Sequence, residues 1–140
     1  MNPIIKKIST LRKQLHQAPE ISGEEKLTSR KIKSYFETLS PDEIIEGLGG
    51  HGLAIVYNGD EEGPSTLFRA ELDALPITEN NAFSYISHNP GVAHSCGHDG
   101  HMAILCGIGL ILSKQRPKKG RVILLFQPAE ETGRGAKEVI

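Results

Sequence analysis

Apolar residues recur at helical spacing through the first forty positions, then switch to short runs bounded by glycine and proline. Ile4, Ile5, Ile8, Leu11 and Leu15 fall three and four apart, which predicts an amphipathic helix over 3–17. Pro3 suits its first turn and Pro19 lies just past its end. A second helix is predicted from about Gly23, where Ser22 followed by Glu25 reads as a capping box. Leu27, Ile32, Tyr35, Phe36 and Leu39 give its apolar face, and Pro41 follows it. Glycines 47, 49, 50 and 52 mark a turn. Residues 53–57 and 66–72 read as strands separated by a strong turn signal over 58–64. Residues 78–95 show no period and read as a long excursion, a kind of segment that is often functional. A helix over about 101–113, apolar nearly all round, is predicted to be buried. The run 121–126 reads as a central strand.

Helices alternating with strands, ending in helix then strand, predict an α/β sandwich with a mixed sheet. In such folds ligands collect where strands end. Asp73 and the pair Glu130–Glu131 both sit just past a predicted strand end, and residues 94–101 immediately precede the buried helix. The pattern therefore expects three polar clusters to converge at one sheet edge. The last residues, 135–140, read as the opening turns of a helix, which gives the expectation of a cut through an element.

Composition adds exclusions. The chain has 140 residues, one domain's worth, with 38% apolar and 24% charged residues and a net charge of -1. No global basic field points to nucleic acid or an anionic membrane. The cluster Arg116, Lys118, Lys119 and Arg121 is short and reads as a solvated loop before a strand. No signal-length apolar stretch stands at the N-terminus and the 102–112 run is too short to span a bilayer, so the expectation is a cytoplasmic protein. Two cysteines, Cys96 and Cys106, make no disulfide framework, and pairing is not expected if Cys106 lies inside the helix. Without Cys-x-x-Cys a thiol-redox role has little support.

The chemistry concentrates in 91–101, which holds Cys96 and three of the six histidines, with His88 just upstream. Cys96 and His98 can reach one cation if the chain turns at Gly97, and a thiolate with an imidazole suits zinc. The plain alternative is a core cysteine beside a surface histidine. Past Pro128 the backbone leaves regular strand geometry, so Glu130 and Glu131 can both face the site. One can bind metal while the other takes a proton from the attacking water. Their plain alternative is a solvated first turn of a helix. Asp73 can orient a ligand or simply cap a turn before Pro76. Glu71, two residues earlier, faces the same side. His16 and His51 lack a nearby constellation and read as ordinary surface or packing histidines.

Four ordered segments carry a resemblance. They are Leu11-Arg-Lys-Gln-Leu-His-Gln-Ala-Pro-Glu20, Arg69-Ala-Glu-Leu-Asp-Ala-Leu-Pro-Ile77, His94-Ser-Cys-Gly-His-Asp-Gly-His101 and Phe126-Gln-Pro-Ala-Glu-Glu131. Together the chain resembles the amidohydrolase branch of the aminoacylase/carboxypeptidase metallopeptidases. The resemblance implies a zinc-peptidase-like three-layer catalytic domain and hydrolysis of the amide bond of N-acyl amino acids. It implies Cys96, His98 and Glu131 as metal ligands, Glu130 as general base and Asp73 as the residue that steadies metal and base. It implies two divalent ions per complete site, with zinc favoured and manganese or cobalt possible, and a homodimer in the full-length parent. His94, Asp99 and His101 read as supporting or packing residues. Two departures stand out. The usual Asp-x-Asp appears as Glu71-Leu72-Asp73, and family members are more than twice as long. Residues 1–140 are therefore expected to be the N-terminal part of the catalytic domain, without the lid and dimerisation domain and with little or no activity alone. The rival expectation is a non-catalytic metal-binding remnant or interaction protein.

Overall fold

A computed structural model describes residues 2–140. Helix α1 (Pro3–His16) opens with Asn2, whose side chain accepts the Ile4 amide at 2.9 Å, and with Pro3 in the first turn. Helix α2 (Lys26–Glu37) is followed by β1 (Glu43–Leu48), β2 (Gly52–Asn58) and β3 (Glu61–Glu71). Helix α3 (His98–Leu112) leads into β4 (Lys119–Gln127), and α4 (Gly135–Val139) closes the chain.

The four strands form one mixed sheet in the order β1-β2-β4-β3. β1 and β4 both run antiparallel to β2, while β3 and β4 are parallel and joined through α3. Parallel neighbours need such a crossover, and it brings the C-terminal ends of β3 and β4 to the same edge. One sheet face carries Leu53, Ile55, Tyr57, Ala70, Leu124 and Phe126 into the main core. Against them pack Leu11 and Leu15 of α1, Ile32 and Phe36 of α2, and Met102, Leu105, Cys106 and Leu110 of α3. Ala54 and Val56, on the opposite face by the alternation of a strand, are buried but stand outside that core. Ile45 and Leu67 on that side are exposed. The arrangement is thus the expected α/β fold with a mixed sheet in incomplete form.

Several features differ from the sequence expectation, and β3 begins at Glu61, inside the turn read over 58–64, because Glu61 and Ser65 pair with β4. β1 is an edge strand with mostly exposed positions, so its residues show no period-2 burial signal. β4 begins at Lys119, so part of the basic cluster lies in a strand, and Lys119 pairs with Glu61 of β3 at 2.9 Å. Helix α3 starts at His98 instead of 101, because Gly97 turns the chain in the left-handed region (φ 92°). It is also open on one side, with Ile104 57% and Ile111 50% exposed.

The capping box at α2 does not form. Ser22 and Glu25 turn their side chains inward to residues far along the chain. Glu20 takes over the cap: its carboxylate accepts the amides of Leu27 and Thr28 and the Thr28 hydroxyl, at 3.2, 2.7 and 2.8 Å.

The excursion over 78–95 is held by a buried clamp. His16 Nδ1 lies 2.8 Å from Asp99 and Nε2 lies 2.8 Å from Glu79, so this histidine is a buried link between α1, α3 and the excursion. Glu79 also accepts the Ser87 amide at 2.6 Å and the Asn81 side-chain amide at 2.7 Å. Phe83 and Tyr85 stack at 4.2 Å and set their edges against His16. Among the described residues no helix is long and apolar enough to cross a membrane.

Two outcomes follow from this packing. A Cβ built on Gly109 would stand 2.2 Å from Phe36 Cε1. Gly109→Ala should therefore lower stability by about 1–3 kcal/mol, the usual cost of overpacking, measured by urea unfolding. Burial alone would raise the Glu79 carboxyl, but hydrogen bonds from Asn81, His16 and the Ser87 amide outweigh it and hold the group at about 2. A depressed folded pKa stabilises the fold above the ordinary value of 4.5, and that contribution is lost as pH falls toward about 2. Thermal melts should fall across this window, and Glu79→Gln should flatten the dependence.

Candidate metal centre

Three chain segments meet at the C-terminal edge of β3 and β4. The first is the residue run after β3. Asp73 is fully buried, and its backbone carbonyl accepts a hydrogen bond from His98 Nδ1 at 2.8 Å. Its Oδ2 accepts the Ser22 hydroxyl at 2.6 Å and the Glu131 amide at 2.9 Å. Burial alone would raise this carboxyl. Hydrogen bonds from His98, Ser22 and the amides of Glu131 and Glu130 overcome that and hold it at about 2. Asp73 is therefore a charged brace between two elements, more than the turn cap its position before Pro76 also allowed.

The second segment is the loop into α3. A carbonyl can only accept, so the contact to Asp73 O fixes the proton of neutral His98 on Nδ1 and leaves the Nε2 lone pair facing outward. Around Nε2 stand Glu130 at 3.6 Å, Glu131 at 3.8 Å and Glu71 at 4.0 Å. Cys96 Sγ, His98 and Glu131 offer ligand atoms that all lie within 4.8 Å of one another. Burial disfavours a charge on His98, but Asp73 and Glu71 outweigh it and raise its pKa to about 9. A hydrogen bond to Glu131 foremost, then burial, then the charges of Glu131, Glu130 and Glu71 push the Cys96 thiol up.

The third segment follows β4. Ala129 adopts a left-handed conformation (φ 50°), which breaks the strand's alternation and lets consecutive glutamates face one place. Glu131 is half-buried, and its Oε1 is buried without a hydrogen-bond partner among the described residues. Glu130 is more open, at 42% side-chain exposure.

This donor set fits a divalent cation. A thiol, an imidazole and carboxylates gather with an orphaned carboxylate oxygen, and a cation would take the place of the protons on Cys96 and on His98 Nε2. Sulfur with nitrogen and oxygen is a donor mixture that suits zinc. Every residue singled out for the site in the sequence lies at this edge. Cys96 is exposed and Cys106 buried in α3, and neither is in a disulfide.

The structure gives contacts to residues that the sequence marks only as nearby or supporting. His101 lies 3.5 Å from Glu71 Oε2, and Glu71, His98 and His101 form a second group of neighbouring ligand atoms. His98 Nδ1 is committed to Asp73, so its one remaining nitrogen is shared between the two groups. Arg69 holds the other oxygen of Glu71 at 3.0 Å. His94 is buried with neither ring nitrogen partnered among the described residues, and burial foremost lowers its pKa to about 4. Ser22 and Glu25 also reach this region, and their local pattern concealed it by imitating a helix cap.

Fold and donor set together define an α/β chain with a cluster of potential metal ligands at its strand ends. The chain belongs to the peptidase family M20/M25/M40, whose match runs over residues 67–140. It is 38% identical over 145 residues to the N-acetyl-L-cysteine deacetylase of Bacillus subtilis (strain 168), covering 100% of this chain and 34% of that protein. It is likewise 38% identical over 128 residues to the N-acyl-L-amino acid amidohydrolase of Geobacillus stearothermophilus, covering 91% of this chain and 34% of that one. The crystal structure of the Bacillus subtilis YXEP protein, described as a dinuclear metal binding peptidase of the M20 family, superposes with a TM-score of 0.91. That match has 36% identity and covers 97% of this chain and 38% of that one. The chain thus spans about a third of the length of the curated relatives it matches.

Cys96→Ser and His98→Ala should each weaken Zn2+ binding roughly 100-fold or more, as expected for ligands. Asp73→Asn should cost roughly 10–100-fold, as for a residue that orients a ligand. Competition against a chromogenic chelator measures all three, and unchanged affinity throughout would remove the centre.

Proposed function

We propose that residues 1–140 are the N-terminal part of the catalytic domain of a metal-dependent amidohydrolase that cleaves the amide bond of N-acyl amino acids. The observation that carries this reading is the convergence of Cys96, His98, Glu130 and Glu131 at one strand-end edge. The share of each relative's length that the chain covers supports the placement within a longer catalytic unit. Cys96, His98 and Glu131 would hold the ion, zinc by donor type, with manganese or cobalt as alternatives and two ions in the complete site. The chemistry a bound divalent cation supplies is acidification of water and polarisation of the acyl carbonyl.

The chain's own residues divide the remaining work. Glu130 is the more exposed of the two glutamates, with its carboxylate 3.6 Å from His98 Nε2, so it can take a proton from the attacking water. It then returns that proton to the amine nitrogen as the amide bond breaks. Asp73 fixes the face of His98 and, through the Glu131 amide, the loop that carries the base. Small N-acyl amino acids are the substrate class supported by the deacetylase and amidohydrolase relatives. A reducing, cytoplasmic setting suits an unpaired cysteine as ligand. A homodimer of the full-length protein completes the proposal.

In the full-length protein, Glu130→Gln should lower kcat on an N-acetyl amino acid by roughly 10²–10⁴ while bound metal stays constant. A variant that keeps both metal and full turnover would sink the assignment. The 140-residue chain alone is expected to show little or no turnover, since three ligands serve a site read as holding two ions.

A further inference from the structure

The turn between α1 and α2 holds a carboxylate that the metal centre does not use. Glu25 is 0% exposed, and its Oε1 accepts two backbone amides, Gly23 at 2.9 Å and Ala129 at 2.8 Å. Its Oε2 is buried without a partner among the described residues. A carboxylate is costly to bury, and this one is directed to backbone and not to an ion. Its distant contact is informative. Ala129 lies 104 positions along the chain and is one of two non-glycine residues with positive φ among the described residues.

Ala129 directly precedes Glu130 and Glu131. An L-residue does not favour the left-handed region, so something must hold it there. The Ala129 carbonyl is tied from the other side, accepting the Gly135 amide at 3.0 Å and the Thr132 hydroxyl at 3.2 Å. On the amide side the contact is Glu25. The same turn supplies Ser22 to Asp73, so one short connection touches both supports of the site.

We propose that Glu25 is a positioning residue for Glu130 and Glu131: its carboxylate holds Ala129 in the left-handed turn that aims both glutamates at the centre. The proposal rests on reading that centre as a metal seat. Without Glu25 the Ala129 amide is orphaned, the turn relaxes, and both carboxylates leave their places together. Glu25→Gln keeps the accepting oxygen and should keep the turn.

The test uses the 140-residue chain with two readouts: amide hydrogen exchange at Ala129 without added metal, and Co2+ titration followed by thiolate-to-cobalt absorption. Glu25→Ala should speed Ala129 exchange and weaken Co2+ binding, each by about tenfold or more, whereas Glu25→Gln should stay within about threefold. Ala129→Gly should partly restore Co2+ binding to Glu25→Ala, because glycine adopts the turn unaided. Ile32→Val, in the core of α2, is the control and should lower stability with little change in Co2+ affinity. Protected Ala129 exchange in Glu25→Ala overturns the proposal, as does a Co2+ loss no greater than that of Ile32→Val. Should Glu25→Ala not fold, recovery of folding in the Ala129→Gly background supports the brace and continued unfolding overturns it. If the wild-type chain takes up no Co2+, the metal reading fails instead, and Ala129 exchange alone decides the brace.

Discussion

The site depends on one buried carboxylate. Asp73 receives the Ser22 hydroxyl and the Glu131 amide on its side chain, and His98 on its backbone carbonyl. Each contact fixes a different segment: the α1–α2 turn, the loop after β4 and the first residue of α3. Its charge survives burial because those donors converge on it. Removing any one donor leaves a buried anion with less compensation, so the three segments are energetically coupled.

That coupling explains how an edge assembled from residues far apart stays organised. The crossover β3–α3–β4 places two strand ends and one helix start together, and Gly97 and Ala129 turn the chain sharply where it enters and leaves. Both turns use left-handed backbone, which glycine adopts freely and alanine adopts only when held. The result is a ring of carboxylates and a thiol around His98 Nε2. A cation bound there would displace the protons of His98 and Cys96 and hold these groups together.

Much of this was legible along the chain. Helices α1 and α2, strands β2 and β4, the second half of β3 and the buried face of α3 follow from apolar spacing. Cys96, His98, Glu130 and Glu131 stood out because soft, nitrogen and oxygen donors cluster there, and because Pro128 ends strand alternation. Edge strand β1 did not stand out, since its positions are largely exposed and leave no pattern. His16 reads as an ordinary histidine for a related reason. Its partners Asp99 and Glu79 lie 83 and 63 positions away, and spacing carries no trace of contacts at that range.

The case of Ser22 and Glu25 marks the boundary. Their spacing satisfies a helix-cap rule, and a local reading has no reason to refuse it. In the folded chain Glu20 caps α2, which frees Ser22 for Asp73 and Glu25 for Ala129. By itself, then, the sequence determined the elements and the chemical kinds of the donors, because periodicity and side-chain chemistry are local properties. Tertiary structure alone decided which donors meet, which nitrogen of His98 faces them and which polar residues hold them there. Those outcomes turn on competition between local and distant hydrogen-bond partners, and only the packed chain brings the distant ones within reach.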